Sequence, residues 1–367
     1  MKEKIFVTRS SMPDYEEYCE AIRPLWDSHW LTNMGRYHKE LEEQLKEYLD
    51  VSEVSLTVNG HMALELAIQS FGFPEGSEII TTPFTFISTI HAIVRNRLRP
   101  VFCDVKETDG TIDENIIESL ITEKTVAILP VHVYGHICNV DKIQQIAYKY
   151  KLKVIYDSAH AFGEIYKGRG IAQYGDISIF SFHATKVFNT IEGGAVCSKK
   201  HEVYDQLYNL KNFGIRGEEY VTAVGANAKM NEFAAIMGLL NLNYIDRAIA
   251  SRKRIYERYA IKISAIKGIN LFEGQTIDRN NYAYLVIIVD DSSLHTRDDI
   301  YEELHKCNIF PRKYFCPLAC DQECYSDDYG VDVNVPVARK IADRVLVLPL
   351  FENMSRECVD YICSIIE

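Results

Sequence analysis

Lys153-Val154-Ile155-Tyr156-Asp157-Ser158-Ala159-His160 is the stretch on which the fold turns. Val154, Ile155 and Tyr156 form a short run of β-branched and aromatic side chains, and the run closes on a carboxylate. Just upstream, residues 140–150 carry helical periodicity, and residues 125–130 before them form another strand-like run. The alternation continues backwards, with strand runs at 54–58, 78–81 and 100–104 separated by helical patterns at 62–71 and 86–96. Strand and helix alternating at this spacing predict an α/β fold with a large, mostly parallel sheet covered on both faces. Ligands of such sheets sit beyond the carboxyl ends of the strands, so the residues that follow each run are the ones to inspect.

Moving forward, Asp176-Ile177-Ser178-Ile179-Phe180 reads as a further strand, and residues 230–264 as a long helix rich in Arg and Lys, without proline and with Gly238 as its weak point. Beyond it, a strand at 284–289 and helices at 298–307 and 356–366 predict a smaller α+β unit. The expected division is a large α/β domain over residues 1–245, amino-terminal segment included, and a C-terminal α+β domain over 246–367. There is no internal repeat, low-complexity tract, Walker motif or Gly-x-Gly-x-x-Gly signature.

The 367 residues carry a formal net charge of -12, the wrong sign for an electrostatic nucleic-acid binder and no help in gripping an anionic membrane. Residues 1–9 lead into no apolar stretch, so they do not read as a secretory signal. The longest apolar runs, 283–289 and 345–351, fall far short of the ~20 residues of a membrane span. The expectation is a cytoplasmic protein whose ten cysteines are reduced thiols. Cys316, Cys320 and Cys324 invite a metal reading, but their spacing does not match the usual zinc patterns; no metal is expected.

Asp157 stands where a helix N-cap would, and also where a cation at the sheet edge would find its partner. A pyridinium nitrogen is such a cation: a carboxylate beside it keeps the ring protonated and electron-withdrawing. Lys186 follows the strand at 176–180 through Ser181-Phe182-His183-Ala184-Thr185, and Glu192-Gly193-Gly194 comes next. Paired glycines permit close backbone approach, and a partly desolvated lysine is an amine nucleophile and Schiff-base former. The alternative for Lys186 is a solvated surface lysine.

Taken together, Asp157-Ser158-Ala159-His160, Ser181-Phe182-His183-Ala184-Thr185-Lys186 and Glu192-Gly193-Gly194 resemble the DegT/DnrJ/StrS family of pyridoxal-5'-phosphate (PLP) dependent sugar aminotransferases. Further likeness lies in Trp30-Leu31-Thr32-Asn33, Asn59-Gly60, Pro83-Phe84-Thr85-Phe86, Pro130-Val131-His132-Val133-Tyr134-Gly135 and Gly225-Ala226-Asn227-Ala228-Lys229-Met230. Arg312-Lys313-Tyr314-Phe315 and Arg344-Val345-Leu346-Val347-Leu348-Pro349 extend it, so the resemblance spans about residues 30–350.

The resemblance implies a fold-type I PLP enzyme of the aspartate aminotransferase kind, working as a homodimer with shared active sites. It gives Lys186 the Schiff base and the proton shuttle, Asp157 the ring nitrogen, His160 the neighbourhood of the phenolic oxygen and Phe86 the stack on the ring. It gives Ser181 and the backbone of Gly60 and His61 to the phosphate, joined by Asn227 from the neighbouring subunit. His61 replaces a threonine common in the family, and Ala319 replaces a histidine. The first change puts a hydroxyl contact to the phosphate in doubt, and the second the sugar contacts of that loop. His183 and Tyr314 are substrate candidates, His183 with the alternative of a packed histidine.

The implied reaction moves an amino group from L-glutamate to a keto carbon of a nucleotide-linked sugar. The run 183–194 is most similar to members acting at C4 of dTDP-4-keto-6-deoxyglucose, whose product serves O-antigen and related surface glycans in lipopolysaccharide biosynthesis. A UDP-4-keto sugar is the nearest rival, and C3 aminotransferases differ more around the lysine. PLP-dependent sugar dehydratases of this fold carry His in place of the lysine, which Lys186 argues against. An amino-acid or aminocyclitol aminotransferase would share the cofactor site. A non-enzymatic regulator with the retained fold predicts loss of Lys186 or Asp157, and both are present.

Overall fold

After a two-residue strand, β1 (Ile5–Phe6), seven strands build the main sheet: β2 (Glu53–Thr57), β3 (Glu78–Thr81), β4 (Arg99–Phe102), β5 (Thr125–Leu129), β6 (Lys153–Asp157), β7 (Ile177–Ser181) and β8 (Gly194–Ser198). Their order across the sheet is β2-β8-β7-β6-β5-β3-β4. Pairing is parallel throughout except at β8, which runs against both neighbours. The computed structural model describes residues 4–326 and 333–367, so of the stretch 1–9 the first three lie outside it.

Each strand is apolar on both faces because helices cover both. Ile79, Ala127, Leu129, Ile155 and Ile179 pack with Ala63, Leu66, Ala92 and Ile93, from α2 (Gly60–Gln69) and α3 (Ser88–Arg95). The alternate residues Ile80, Ile128, Val154 and Tyr156 pack on the other side with Ile143 and Ile146 of α4 (Val140–Tyr150). A third core joins Leu41 and Leu45 of α1 (Arg36–Leu49) to Leu56, Phe180 and the first half of the long helix α6 (Glu232–Ile263). Between them, α5 (His201–Leu210) precedes a hairpin of β9 (Ile215–Gly217) and β10 (Tyr220–Val221).

Helix starts are set by side-chain caps. Asn59 Oδ1 accepts from Met62 N–H (2.8 Å), so α2 begins two residues before the expected position 62. Asn231 Oδ1 accepts from Ala234 N–H (2.9 Å) and starts α6, whose 32 residues match the expected long helix closely. Helix α6 carries the chain past position 245 without a break and into the C-terminal sheet, β11 (Ile269–Leu271), β12 (Leu285–Val289) and β14 (Val345–Leu348), all antiparallel. Ile255, Tyr259 and Ile263 of α6 pack beneath this sheet with α7 (Arg297–Lys306) and α9 (Arg356–Ile366), while α8 (Pro336–Arg344) lies on the sequence just before β14. β1 pairs in parallel with β13 (Ile309–Phe310), which ties the amino-terminal residues to the C-terminal unit.

Candidate active site

The carboxyl ends of β2, β3, β6 and β7 open into one cleft of about 1140 Å³, measured out to open solvent. Because β8 is antiparallel, its first residue rather than its last reaches this edge. Gly194 lies in register with both Thr57 and Ser181. A Cβ on Gly194 would fall 2.7 Å from the Asn59 carbonyl oxygen, and one on Gly60 would fall 2.6 Å from Ser181 Cβ. The two glycines therefore let β2, β7 and the start of α2 close into a tight cradle. Gly60 and His61 occupy the first turn of α2, where amide N–H groups have no partner within the helix and the helix dipole favours an anion.

Asp157 ends β6 and is 5% exposed. Thr89 Oγ1 donates to its Oδ2 (2.8 Å) and Ala159 N–H to its Oδ1 (3.1 Å). Burial pushes its carboxyl above the usual range, against the opposing pull of these two donors and of the Lys186 ammonium. The carboxylate thus caps the turn after β6, and it is also buried and, among the described residues, in no ion pair, although the Lys186 charge acts on it.

His160 is buried beside it. Tyr134 N–H donates to His160 Nδ1 (2.9 Å), so the neutral ring carries its proton on Nε2. Burial, with the charge of Lys186 and then His136, holds the imidazole well below its ordinary pKa, so neutral is its working form. Lys186, half-buried in the loop after β7, directs its Nζ to Tyr284 Oη (3.3 Å), and the amine stands over the same ring at 5.9 Å from the centroid. Phe86, ahead of α3 and not within it, leaves 60% of its surface exposed on the cleft wall.

Gly60, His61, Phe86, Asp157, His160, Ser181, His183, Lys186 and Tyr314 all line this one cleft. Asn227 does not: it is exposed and bridges Asn212 beyond the hairpin β9–β10. His183 is not a packed histidine, since its ring is exposed, 2.8 Å from Thr185 Oγ1 and 3.6 Å from Glu192. His61 faces Ser88 Oγ at 2.7 Å and Glu65 at 3.5 Å, and burial lowers its pKa. Ala319 is buried in the core with Phe84 and Phe315, its N–H donating to Pro83 O (3.0 Å), and does not line the cleft. Tyr284 and Thr89 belong to the site but stand in no local pattern that the sequence could reveal. Of the loop cysteines, Cys320 is buried in the core, Cys316 half-buried near Arg297 and Cys324 exposed. Among the described residues no group of three or more acidic, His or Cys side chains is arranged to hold a metal.

A buried carboxylate in want of a cation, a reachable amine, a free aromatic face and an anion cradle are what a phosphorylated pyridine aldehyde requires of a protein. The residues present fit that group. The main sheet with its one antiparallel strand and the smaller C-terminal unit make this a fold-type I PLP enzyme. Residues 14–367 match the model of the DegT/DnrJ/EryC1/StrS aminotransferase family, and the chain belongs to that family. The chain is 40% identical over 368 residues to the dTDP-4-amino-4,6-dideoxy-D-glucose transaminase of Shigella dysenteriae, covering 100% of this chain and 99% of that one. It is 42% identical over 357 residues to the Escherichia coli protein of the same name, covering 96% and 95%. Among solved structures, DesI in the presence of its TDP-sugar product superposes with a TM-score of 0.93 at 29% identity, covering 100% of this chain and 92% of that one. The enzyme is a PLP-dependent sugar aminotransferase.

Proposed function

We propose that the enzyme takes the amino group of L-glutamate and delivers it to C4 of dTDP-4-keto-6-deoxyglucose, giving dTDP-4-amino-4,6-dideoxyglucose. The observation that carries this reading is the convergence of Lys186, Asp157 and the Gly60–Ser181 cradle on one cleft, in a chain that matches two transaminases of that product over 96–100% of its length. PLP, when bound, supplies a carbonyl carbon that amines attack and a protonated ring that withdraws electrons from it.

The chain's own groups divide the remaining work. Asp157 holds the ring nitrogen, and the pairing offsets the burial that otherwise raises its carboxyl. Neutral His160 donates Nε2–H towards the phenolic oxygen. Phe86 covers a ring face with the surface it now leaves exposed. Gly60 N–H, His61 N–H and Ser181 Oγ bind the phosphate at the helix start. Lys186 would hold the cofactor through its amine and would carry a proton at Nζ. His183 and Tyr314, on the outer wall, contact the sugar.

A homodimer completes the site with Asn227 of the second copy. Support comes from its exposed position next to a hairpin whose Tyr220 (66%) and Val221 (63%), with the following Val224 (90%), leave large apolar surface uncovered. The cytoplasm, where nucleotide sugars for surface glycans such as O-antigen are made, is its place in this reading. Among the described residues no helix is long and apolar enough to cross a membrane.

The test is the visible absorbance of the PLP-loaded protein. Glutamate is expected to bleach it and the keto sugar to restore it; Lys186→Ala is expected to fold but show neither change. Bleaching that the sugar does not reverse refutes the substrate, and an active Lys186→Ala protein refutes the role of the lysine.

A further inference from the structure

The Lys186 amine is held, among the described residues, by a group from the other unit of the chain. Tyr284 directly precedes β12 of the C-terminal sheet, 98 positions from Lys186, and its Oη lies 3.3 Å from Nζ. The tyrosine is fixed on several sides. Its ring meets His160 edge-on at 4.7 Å, Tyr134 at 6.0 Å and Tyr314 at 6.3 Å. The backbone before it is anchored as well: Asn281 Nδ2 donates to His160 O (2.8 Å) and Phe162 O (3.1 Å), and Asn281 Oδ1 accepts from Ala283 N–H (2.8 Å). Lysine, by contrast, has a flexible four-carbon stem, so an unbonded amine would sample many positions.

We propose that Tyr284 positions the Lys186 amine whenever that amine is not bonded to the cofactor, and so sets the rate of proton transfer without adding to cofactor or glutamate binding. This rests on the reading of Lys186 as the proton carrier. A tyrosine hydroxyl suits the task because it has both a donor and an acceptor. It accepts an N–H while Nζ is charged and gives its O–H to the lone pair while Nζ is neutral, so it stays with the amine in both states. The proton taken from the donor's α-carbon travels on Nζ alone, and Tyr284 ends as it began. A carboxylate in this place would favour the charged amine, and a second lysine the neutral one.

The decisive variant is Tyr284→Phe, which keeps the ring and its packing and removes one oxygen. In stopped-flow bleaching of the loaded enzyme by glutamate, the maximal rate is expected to fall about tenfold, roughly what one hydrogen bond is worth. The half-saturating glutamate concentration and the PLP dissociation constant, measured on the cofactor-free protein, are expected to stay within about twofold of wild type. Tyr284→His, which restores a donor and an acceptor, is expected to recover part of the rate. An unchanged maximal rate in Tyr284→Phe overturns the inference, as does a loss of PLP affinity matching the loss of rate, or equal rates in the Phe and His variants. A wild-type enzyme silent towards glutamate overturns instead the aminotransfer reading beneath it.

Discussion

Gly60→Ala tests whether the cradle at the start of α2 is what holds the phosphate. The added Cβ would stand 2.6 Å from Ser181 Cβ, 2.9 Å from its Oγ and 3.0 Å from its Cα. Carbon atoms in comfortable contact lie about 3.5–4 Å apart, so something must move by about 1 Å. Ser181 ends an interior strand of the sheet, in register with Gly194, and α2 is pinned by its Asn59 cap. The movement therefore falls on the helix start and carries the Gly60 and His61 amides away from the anion. The strain of overpacking, about 1–3 kcal/mol, is partly offset because alanine favours a helix over glycine by about 1 kcal/mol. Global stability is thus expected to drop by about 2 kcal/mol at most. Cofactor affinity should fall separately: one charge-assisted hydrogen bond lost is about 2 kcal/mol, or roughly thirtyfold in the PLP dissociation constant. Titration of the cofactor-free protein with PLP, beside a denaturant melt, separates the two effects. Gly217→Ala, with nothing within 4 Å of its added methyl, is the control expected to change neither. Wild-type PLP affinity in a folded Gly60→Ala protein would refute the cradle.

Two further predictions address the buried charges. Asp157→Asn keeps an oxygen for Ala159 N–H and turns its amide N–H to Thr89 Oγ1, which can accept, but loses the charge paired with the ring nitrogen; bleaching by glutamate is expected to slow about a hundredfold, and an unchanged rate would leave the residue only a cap. Lys211, fully buried, donates to Glu42 Oε1 (3.1 Å) and Leu56 O (3.1 Å), while His38 Nε2 also meets Glu42 (3.1 Å). Burial pushes Glu42 up, but Lys211, His38 and the Leu56 N–H together outweigh it and hold the carboxyl at about 2 against an ordinary 4.5. The sign follows: its contribution, about 3 kcal/mol, is complete above pH 4.5 and is lost as pH falls towards 2. Lys211→Met, which strands the carboxylate, is expected to cost about 3–5 kcal/mol at pH 7 in urea melts and to flatten that acid-side slope. A loss under about 1 kcal/mol would mean that Glu42 is satisfied without the lysine.

What could be read from the sequence was what is local in it. β6 was legible because a strand buried on both faces shows as an unbroken apolar run, and Asp157 because it stops that run. Lys186 stood out for the same reason, five residues past the end of β7 and before a glycine pair whose tight fit the structure bears out. The cap at Asn59 starts its helix two residues ahead of the periodic pattern, since a cap acts before the first apolar position, and the cap at Asn231 holds its helix back to Glu232, two residues after the expected start. The helices α1, α5 and α8 escaped notice, α1 because its charged faces mask the stripe of Leu41, Leu45 and Leu49. Thr89 reaches Asp157 over 68 positions and Lys211 reaches Glu42 over 169, and no spacing rule announces such pairs. The surface setting of His183 was likewise undecided by the residues around it, because burial belongs to the assembled fold.

Helix α6 has a consequence for how this enzyme can change. Its 32 residues, a rod of about 48 Å, lend their first half to the core around α1 and their second to the core under β11, β12 and β14. The parallel pair β1–β13 stitches the chain's start to its far end as well. Lys186 and Asp157 come from one side of this shared beam, Tyr284 and Tyr314 from the other. The halves are therefore not interchangeable modules: a crossover between relatives at position 245 would saw the beam in two and split every site with it. Altered sugar preference is instead open to exchange of the short wall segments around His183 and Tyr314, which the beam holds at a fixed gauge while leaving their residues free to vary.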